Sequence, residues 1–194
     1  LIRQLAQRIY EQDHELMRDH ASEVEVCPIT GFTSYIDLAA FLENEVKRAR
    51  RLQQTMAFAI MDVDGFATIV ERHGEEAGEV ILQRLAWVLR EKLRRTDLAG
   101  RFGTDRFGLL LYEADGVSAV GVCEKVRMDF GAVRFESPEG FFSATVTCGI
   151  SIFPEHKQSV SLNQAAFKAL MKGKSRGKNC VILAEPGTKE FLGL

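Results

Sequence analysis

The sequence predicts an α/β fold in which a central sheet is covered by helices. Three observations carry that prediction. An almost wholly apolar run, 56–61, is bounded by Asp62 and Asp64 and has the length of a buried strand. From residue 34 onward, helical and strand-like stretches alternate in the order α-β-α-β-β-α-β-β-α-β, the pattern of a layered sheet. Around residues 101–107, Arg-Phe-Gly-Thr-Asp-Arg-Phe, two strand-like runs flank a short polar stretch with a glycine, the signature of a β-hairpin.

The elements follow in order. Residues 1–24 are polar with apolar positions at Ile2, Leu5, Ile9, Leu16, Met17 and Val24. Ile2, Ile9 and Leu16 fall on a heptad, but the companion positions Gln12 and Asp19 are polar, so the segment reads equally as a linker helix and as a dimerising helix. Cys27-Pro28-Ile29-Thr30-Gly31 ends it. A helix is expected over 34–53, with Leu38, Phe41, Leu42 and Val46 on one face, then a buried strand over 55–63. A helix begins at 66–70, is interrupted at Arg72-His73-Gly74 and continues over 75–94. The 98–112 hairpin, a helix over 117–130, strands near 133–136 and over 142–153, a helix over 160–172 and a strand over 179–184 complete the reading. The division expected is a helix over 1–25, one domain over 26–186 and a tail over 187–194.

Composition narrows the function. The chain has 194 residues, 46 % hydrophobic and 27 % charged, with a net charge of −2, which excludes a broad nucleic-acid or membrane-surface role. No run is long and apolar enough to span a bilayer, and the expected location is the cytoplasm. Cys27, Cys123, Cys148 and Cys180 are scattered without a CxxC pair, as in a reduced protein without structural zinc. The chain begins at Leu1 rather than Met, and an upstream sensor domain is expected. Asp62, Asp64 and the hairpin carboxylate Asp105 suit an Mg²⁺ site that handles a nucleoside triphosphate, because Mg²⁺ is a hard cation that prefers oxygen ligands.

An ordered series of landmarks then resembles the GGDEF family, the diguanylate cyclase domain, over about residues 26–184. Cys27-Pro28-Ile29-Thr30-Gly31 is similar to its opening D-x-L-T-G, and Asp62-Val63-Asp64-Gly65-Phe66 to D-I-D-x-F. His73-Gly74 and Ala77-Gly78-Glu79 stand where G-H-x-x-G-D is found, and residues 101–107 where R-x-G-G-[DE]-E-F is found. Thr147-Cys148-Gly149-Ile150-Ser151 resembles the S-x-G-I-[AS] strand, and residues 169–179 resemble A-L-Y-x-A-K-x-x-G-R-N.

The resemblance implies a central mixed sheet covered by helices and a reaction in which two protomers each bind Mg²⁺-GTP and condense the pair into cyclic di-GMP. It implies metal ligation by Asp62, the carbonyl of Val63 and Asp105, a part for Asp105 in activating the attacking 3′-hydroxyl, and phosphate contacts from Lys174 and Lys178. Several family positions are changed. In the hairpin Gly103, Thr104, Asp105, Arg106, Phe107, the second glycine is Thr104 and the glutamate is Arg106. The guanine-reading Asn aligns with Val70 and its partner Asp with Glu79; a phosphate-contacting Lys is Ala67, and the opening Asp is Cys27. Each buried base-reading group left unpaired costs about 1–3 kcal/mol, so weak GTP binding and little or no cyclase activity are expected.

A second site is implied by Arg94-Arg95-Thr96-Asp97, which fits the family's inhibitory RxxD motif. Five residues separate Asp97 from Gly103, and no other arginine of the chain has an Asp three positions later. A guanidinium can pair with O6 and N7 of guanine while a carboxylate accepts from its N–H groups, so cyclic di-GMP is the expected ligand. A helix-end Arg with a capping Asp fits the same residues, and Lys125 and Arg127 are candidates for a second basic arm. The expected function is a degenerate signalling domain that binds cyclic di-GMP or GTP, with an atypical active cyclase as the alternative. A homodimer through residues 1–24 is a further expectation, and nucleic acid is not an expected partner.

Overall fold

The computed structural model describes residues 26–138 and 140–186. The helix expected over 1–24 and the tail 187–194 lie outside the described residues. In chain order, β1 (Thr33–Ser34) leads into α1 (Tyr35–Leu52), β2 (Met56–Val63), α2 (Phe66–His73) and α3 (Glu75–Lys92). Then come β3 (Leu98–Phe102), β4 (Arg106–Tyr112), α4 (Gly116–Gly131), β5 (Phe135–Ser137), β6 (Gly140–Phe142), β7 (Val146–Phe153), α5 (Ser159–Ser175) and β8 (Val181–Leu183). The sheet has the order β1-β3-β4-β2-β7-β8, with β1–β3 and β7–β8 parallel and the other neighbours antiparallel. It is the mixed sheet the sequence predicts.

Period-2 alternation in β2 explains the layering. Met56, Phe58 and Ile60 join a core with Leu38, Leu42 and Val46 of α1 and Leu162, Ala166 and Leu170 of α5. Ala57, Ala59, Met61 and Val63 join the opposite core with Ile81, Leu85 and Leu89 of α3 and Cys123, Val126 and Phe130 of α4. All eight residues of β2 are buried. Local signals set the helix ends. The Ser34 hydroxyl accepts from the Asp37 amide at the start of α1, Asp115 and Ser118 form a capping box at α4, and Gly74 (φ 89°) separates α2 from α3 at the predicted interruption.

Two elements differ from the sequence reading. The strand expected over 142–153 is two strands, because β6 pairs only with β5 in a separate ribbon while β7 belongs to the main sheet. The chain changes partner at 143–145, where the Thr145 carbonyl accepts from the Asp64 amide at 2.8 Å. The apolar pattern runs on through this change, so it gave no sign of the break. The two-residue β1 was also not predicted; its two residues hold it against β3 in parallel register. All four cysteines are unpaired, and no helix among the described residues is long and apolar enough to cross a membrane.

Candidate functional site

Register builds the acidic end of the sheet. Asp62 in β2 stands opposite Arg106 in β4, and both face α5. The Arg106 Nε donates to Asp62 Oδ2 at 3.0 Å, and its guanidinium lies 5.7 Å from the ring centroid of Phe167 on α5. Lys174, in the last turn of α5, donates to Asp62 Oδ1 and sits 3.3 Å from Asp64 Oδ1. The Asp62 side chain is only 7 % exposed, so both of its oxygens are held by cations in a nearly dry setting.

Asp64 is a structural anchor. It accepts from the hydroxyls of Thr145 (2.8 Å) and Thr147 (2.7 Å) and from the Asn179 amide (2.9 Å), besides its contact with Lys174. A carboxylate has about four lone-pair sites, and these partners fill them. The Asn179 bond holds an unusual turn in which Lys178 (φ 65°) and Asn179 (φ 46°) are both left-handed. Lys178 itself is exposed, on the loop next to the cluster.

Asp105 completes the group. Its carbonyl accepts from the Val63 amide at 3.1 Å, which ties the hairpin tip to the end of β2. Burial pushes the Asp105 carboxyl up and the neighbouring Asp62 adds to that, against a downward pull from Arg106 and Lys174. The structure thus brings Asp62, Val63, Asp105, Arg106 and Lys174 together. The residues as they stand do not fit the divalent cation that the resemblance implies. Among the described residues no three acidic, His or Cys side chains converge into a metal-holding group, Asp64 is saturated, and both oxygens of Asp62 are engaged by positive side chains. Phe107, grouped with the hairpin in the sequence reading, belongs to the core, fully buried and edge-on to Phe32 at 6.0 Å.

Gly103 is left-handed (φ 75°), whereas the non-glycine residues with positive φ are Gln53, Glu113, Lys178 and Asn179, so Thr104 forms the turn without that strain. What Thr104 adds is bulk and a hydroxyl, which donates to Asp105 Oδ1 at 3.4 Å. Arg101 braces the tip, donating to the Thr104 carbonyl at 2.8 Å and to Cys27 Sγ at 3.1 Å. Burial raises the Cys27 thiol, but hydrogen bonds from Thr30 and Arg101 outweigh it and bring its pKa down to about 7. The sequence reading missed this brace, because nothing in the spacing of residues 27 and 101 links them. On the opposite side, Val70 packs toward α3, where a Cβ on Gly78 would come within 2.8 Å of it, and Glu79 and Ala67 are exposed.

The RxxD segment lies at the other end of β3, a five-residue strand away from the hairpin tip. Asp97 caps the turn, Oδ2 accepting from the Arg94 amide (2.9 Å) and Oδ1 from the Tyr112 amide (3.2 Å). Arg94 is exposed, and its guanidinium has no hydrogen-bond or ion-pair partner among the described residues. Of the two candidate second arms, Arg127 is taken by Glu124 (2.7 Å) and Asn179 (2.9 Å), while Lys125 is exposed.

Comparison with known proteins agrees with this architecture. A family model described as "Diguanylate cyclase, GGDEF domain" matches residues 26–180. Diguanylate cyclase TpbB of Pseudomonas aeruginosa is 31 % identical over 152 residues, 75 % of this chain and 35 % of its own length. Diguanylate cyclase DgcP of the same organism is 29 % identical over 173 residues, 87 % of this chain and 26 % of its own. The chain spans between about a quarter and a half of the length of the curated relatives it matches. The solved GGDEF domain of TpbB superposes with a TM-score of 0.78 at 26 % identity, covering 83 % of this chain and 95 % of that one. The P. aeruginosa diguanylate cyclase SiaD, solved in complex with its activator SiaC, gives 0.79 at 27 % identity, covering 94 % and 73 %. With the family model spanning most of the chain and the same mixed sheet on both sides of the comparison, the chain belongs to the GGDEF family, the diguanylate cyclase domain family.

Proposed function

We propose that this chain is a degenerate GGDEF signalling domain with little or no cyclase activity, which acts by binding cyclic di-GMP at Arg94 and Asp97. The observation that carries the reading is the exposed Arg94 guanidinium, unclaimed by the described residues and set beside an Asp97 that two backbone amides hold in place. Each Asp97 oxygen keeps a lone pair for a base N–H, so capping and ligand binding are compatible. Lys125 is the more available second arm, because Arg127 is engaged. The arrangement needs no chemical step: Arg94 pairs with a guanine edge, Asp97 orients it, and binding shifts the population of domain arrangements relative to residues 1–25 or to a partner.

Loss of cyclase activity is supported by Val70, which has no hydrogen bond to offer a base, and by Arg106, which reverses the charge beside the hairpin carboxylate. Titration calorimetry with cyclic di-GMP tests the reading: micromolar binding by the wild type, weakened at least ~10-fold in Arg94→Ala, is expected. Absence of wild-type binding overturns it. The second reading, an atypical active cyclase acting as a dimer, draws on the raised pKa of Asp105, which suits a carboxylate that takes a proton from a 3′-hydroxyl. Cyclic di-GMP formation from GTP, abolished in Asp105→Asn, would establish it.

A further inference from the structure

We propose that Arg106 replaces the divalent cation at this hairpin: its guanidinium is the built-in counter-charge of Asp62, and the site is metal-independent. Asp62, Asp64 and Asp105 carry three negative charges, and Lys174 and Arg106 return two positive ones. A carboxylate at position 106, as in the family motif, would leave this cluster two charges more negative, the environment that attracts a divalent ion. With Arg106 present the carboxylates are already nearly neutralised, and an incoming dication meets two fixed cations within one cluster.

Geometry makes the replacement durable. Arginine does not lose its proton in a protein, so its charge persists at every accessible pH. Arg106 is fixed opposite Asp62 by strand register, donates to it at 3.0 Å and rests near the Phe167 ring. To ligate a metal through Asp62, that pair and the ring contact would both have to break. The Arg106 side chain is 38 % exposed, so it closes the solvent side of an Asp62 that is otherwise buried. Any anionic ligand taken up at this end is therefore met by protein cations and needs no accompanying metal.

The inference extends the impaired-catalysis half of the proposed function and is independent of Arg94, so each can fail while the other stands. The test is titration of the whole chain with Mn²⁺, read by electron paramagnetic resonance and competed with Mg²⁺. Wild type is expected to bind no more Mn²⁺ than Asp105→Asn does. Arg106→Glu is expected to gain a site at least ~10-fold tighter, lost again when Asp105→Asn is added. The thermal midpoint of Arg106→Glu should rise with Mg²⁺ while that of wild type does not. If the charge reversal prevents folding, Arg106→Gln is expected to gain weaker but measurable Mn²⁺ binding. Wild-type Mn²⁺ binding that needs Asp105 overturns the proposal, as does a folded Arg106 variant that gains nothing.

Discussion

Asp64 shows how much one residue can hold. It joins the end of β2 to the start of β7 through Thr145 and Thr147, and to the turn after α5 through Asn179. Asp64→Ala leaves the Thr145 and Thr147 hydroxyls and the Asn179 amide without their acceptor and removes one of the two carboxylates that Lys174 meets, and a loss of about 3–5 kcal/mol in urea unfolding is expected, with a smaller loss in Asp64→Asn. Asp105 has the opposite sign. Its folded-state pKa is raised above the ordinary 3.8 by burial and Asp62, so the folded chain holds that proton more tightly than the unfolded one. The stability it contributes is present below the ordinary value and is lost as pH rises through the raised one. Asp105→Asn should therefore stabilise the protein in neutral buffer and not in acid, as comparison of urea midpoints will show. Cys27, with its pKa lowered from 9.0 to about 7, gains stability as pH rises through that lower value. Its alkylation rate, followed by peptide mass mapping, should have a midpoint near 7 and move upward in Arg101→Ala; the more buried Cys123 and Cys148 should stay inert.

Among the elements, the contact of α5 with β7 has the least room. A Cβ on Gly149 would meet the Ala166 carbonyl at 2.1 Å and the Leu170 amide at 2.2 Å, both backbone atoms that cannot rotate away. Gly149→Ala must push α5 off the sheet, and a loss of at least ~3 kcal/mol is expected by chemical denaturation. The same close approach places Lys174 over Asp62, so this substitution also disturbs the charged cluster. The hairpin has a different character. Its single left-handed position is Gly103, and Arg101 ties the tip back to residue 27. The Arg101 side chain thus braces a tip whose second position is Thr104 instead of glycine.

Across the whole molecule, β2 is shared by two cores, one under α1 and α5 and one under α3 and α4. Neither core can lose β2 alone, which predicts a single cooperative unfolding transition. Leu85→Ala on one face and Leu162→Ala on the other should each lower stability by about 2–5 kcal/mol, with coincident circular dichroism and Trp87 fluorescence curves.

The sequence by itself determined the succession of helices and main strands and the break at Gly74, because hydrophobic period and turn chemistry are local, and the family with its mixed sheet, because the motifs recur in a set order. It also named the residues of the charged cluster, including the reversal at Arg106. Only the tertiary structure decided what those residues do to one another. That Asp64 is saturated, that Arg106 and Lys174 divide the two oxygens of Asp62, and that Cys27 meets Arg101 all depend on strand register and on helices crossing the sheet. Those contacts join positions dozens of residues apart in the chain. The partner switch at 143–145 escaped for the same reason: strand pairing is a long-range choice, and the alternation of Phe142, Ala144, Val146 and Cys148 does not record which edge it joins.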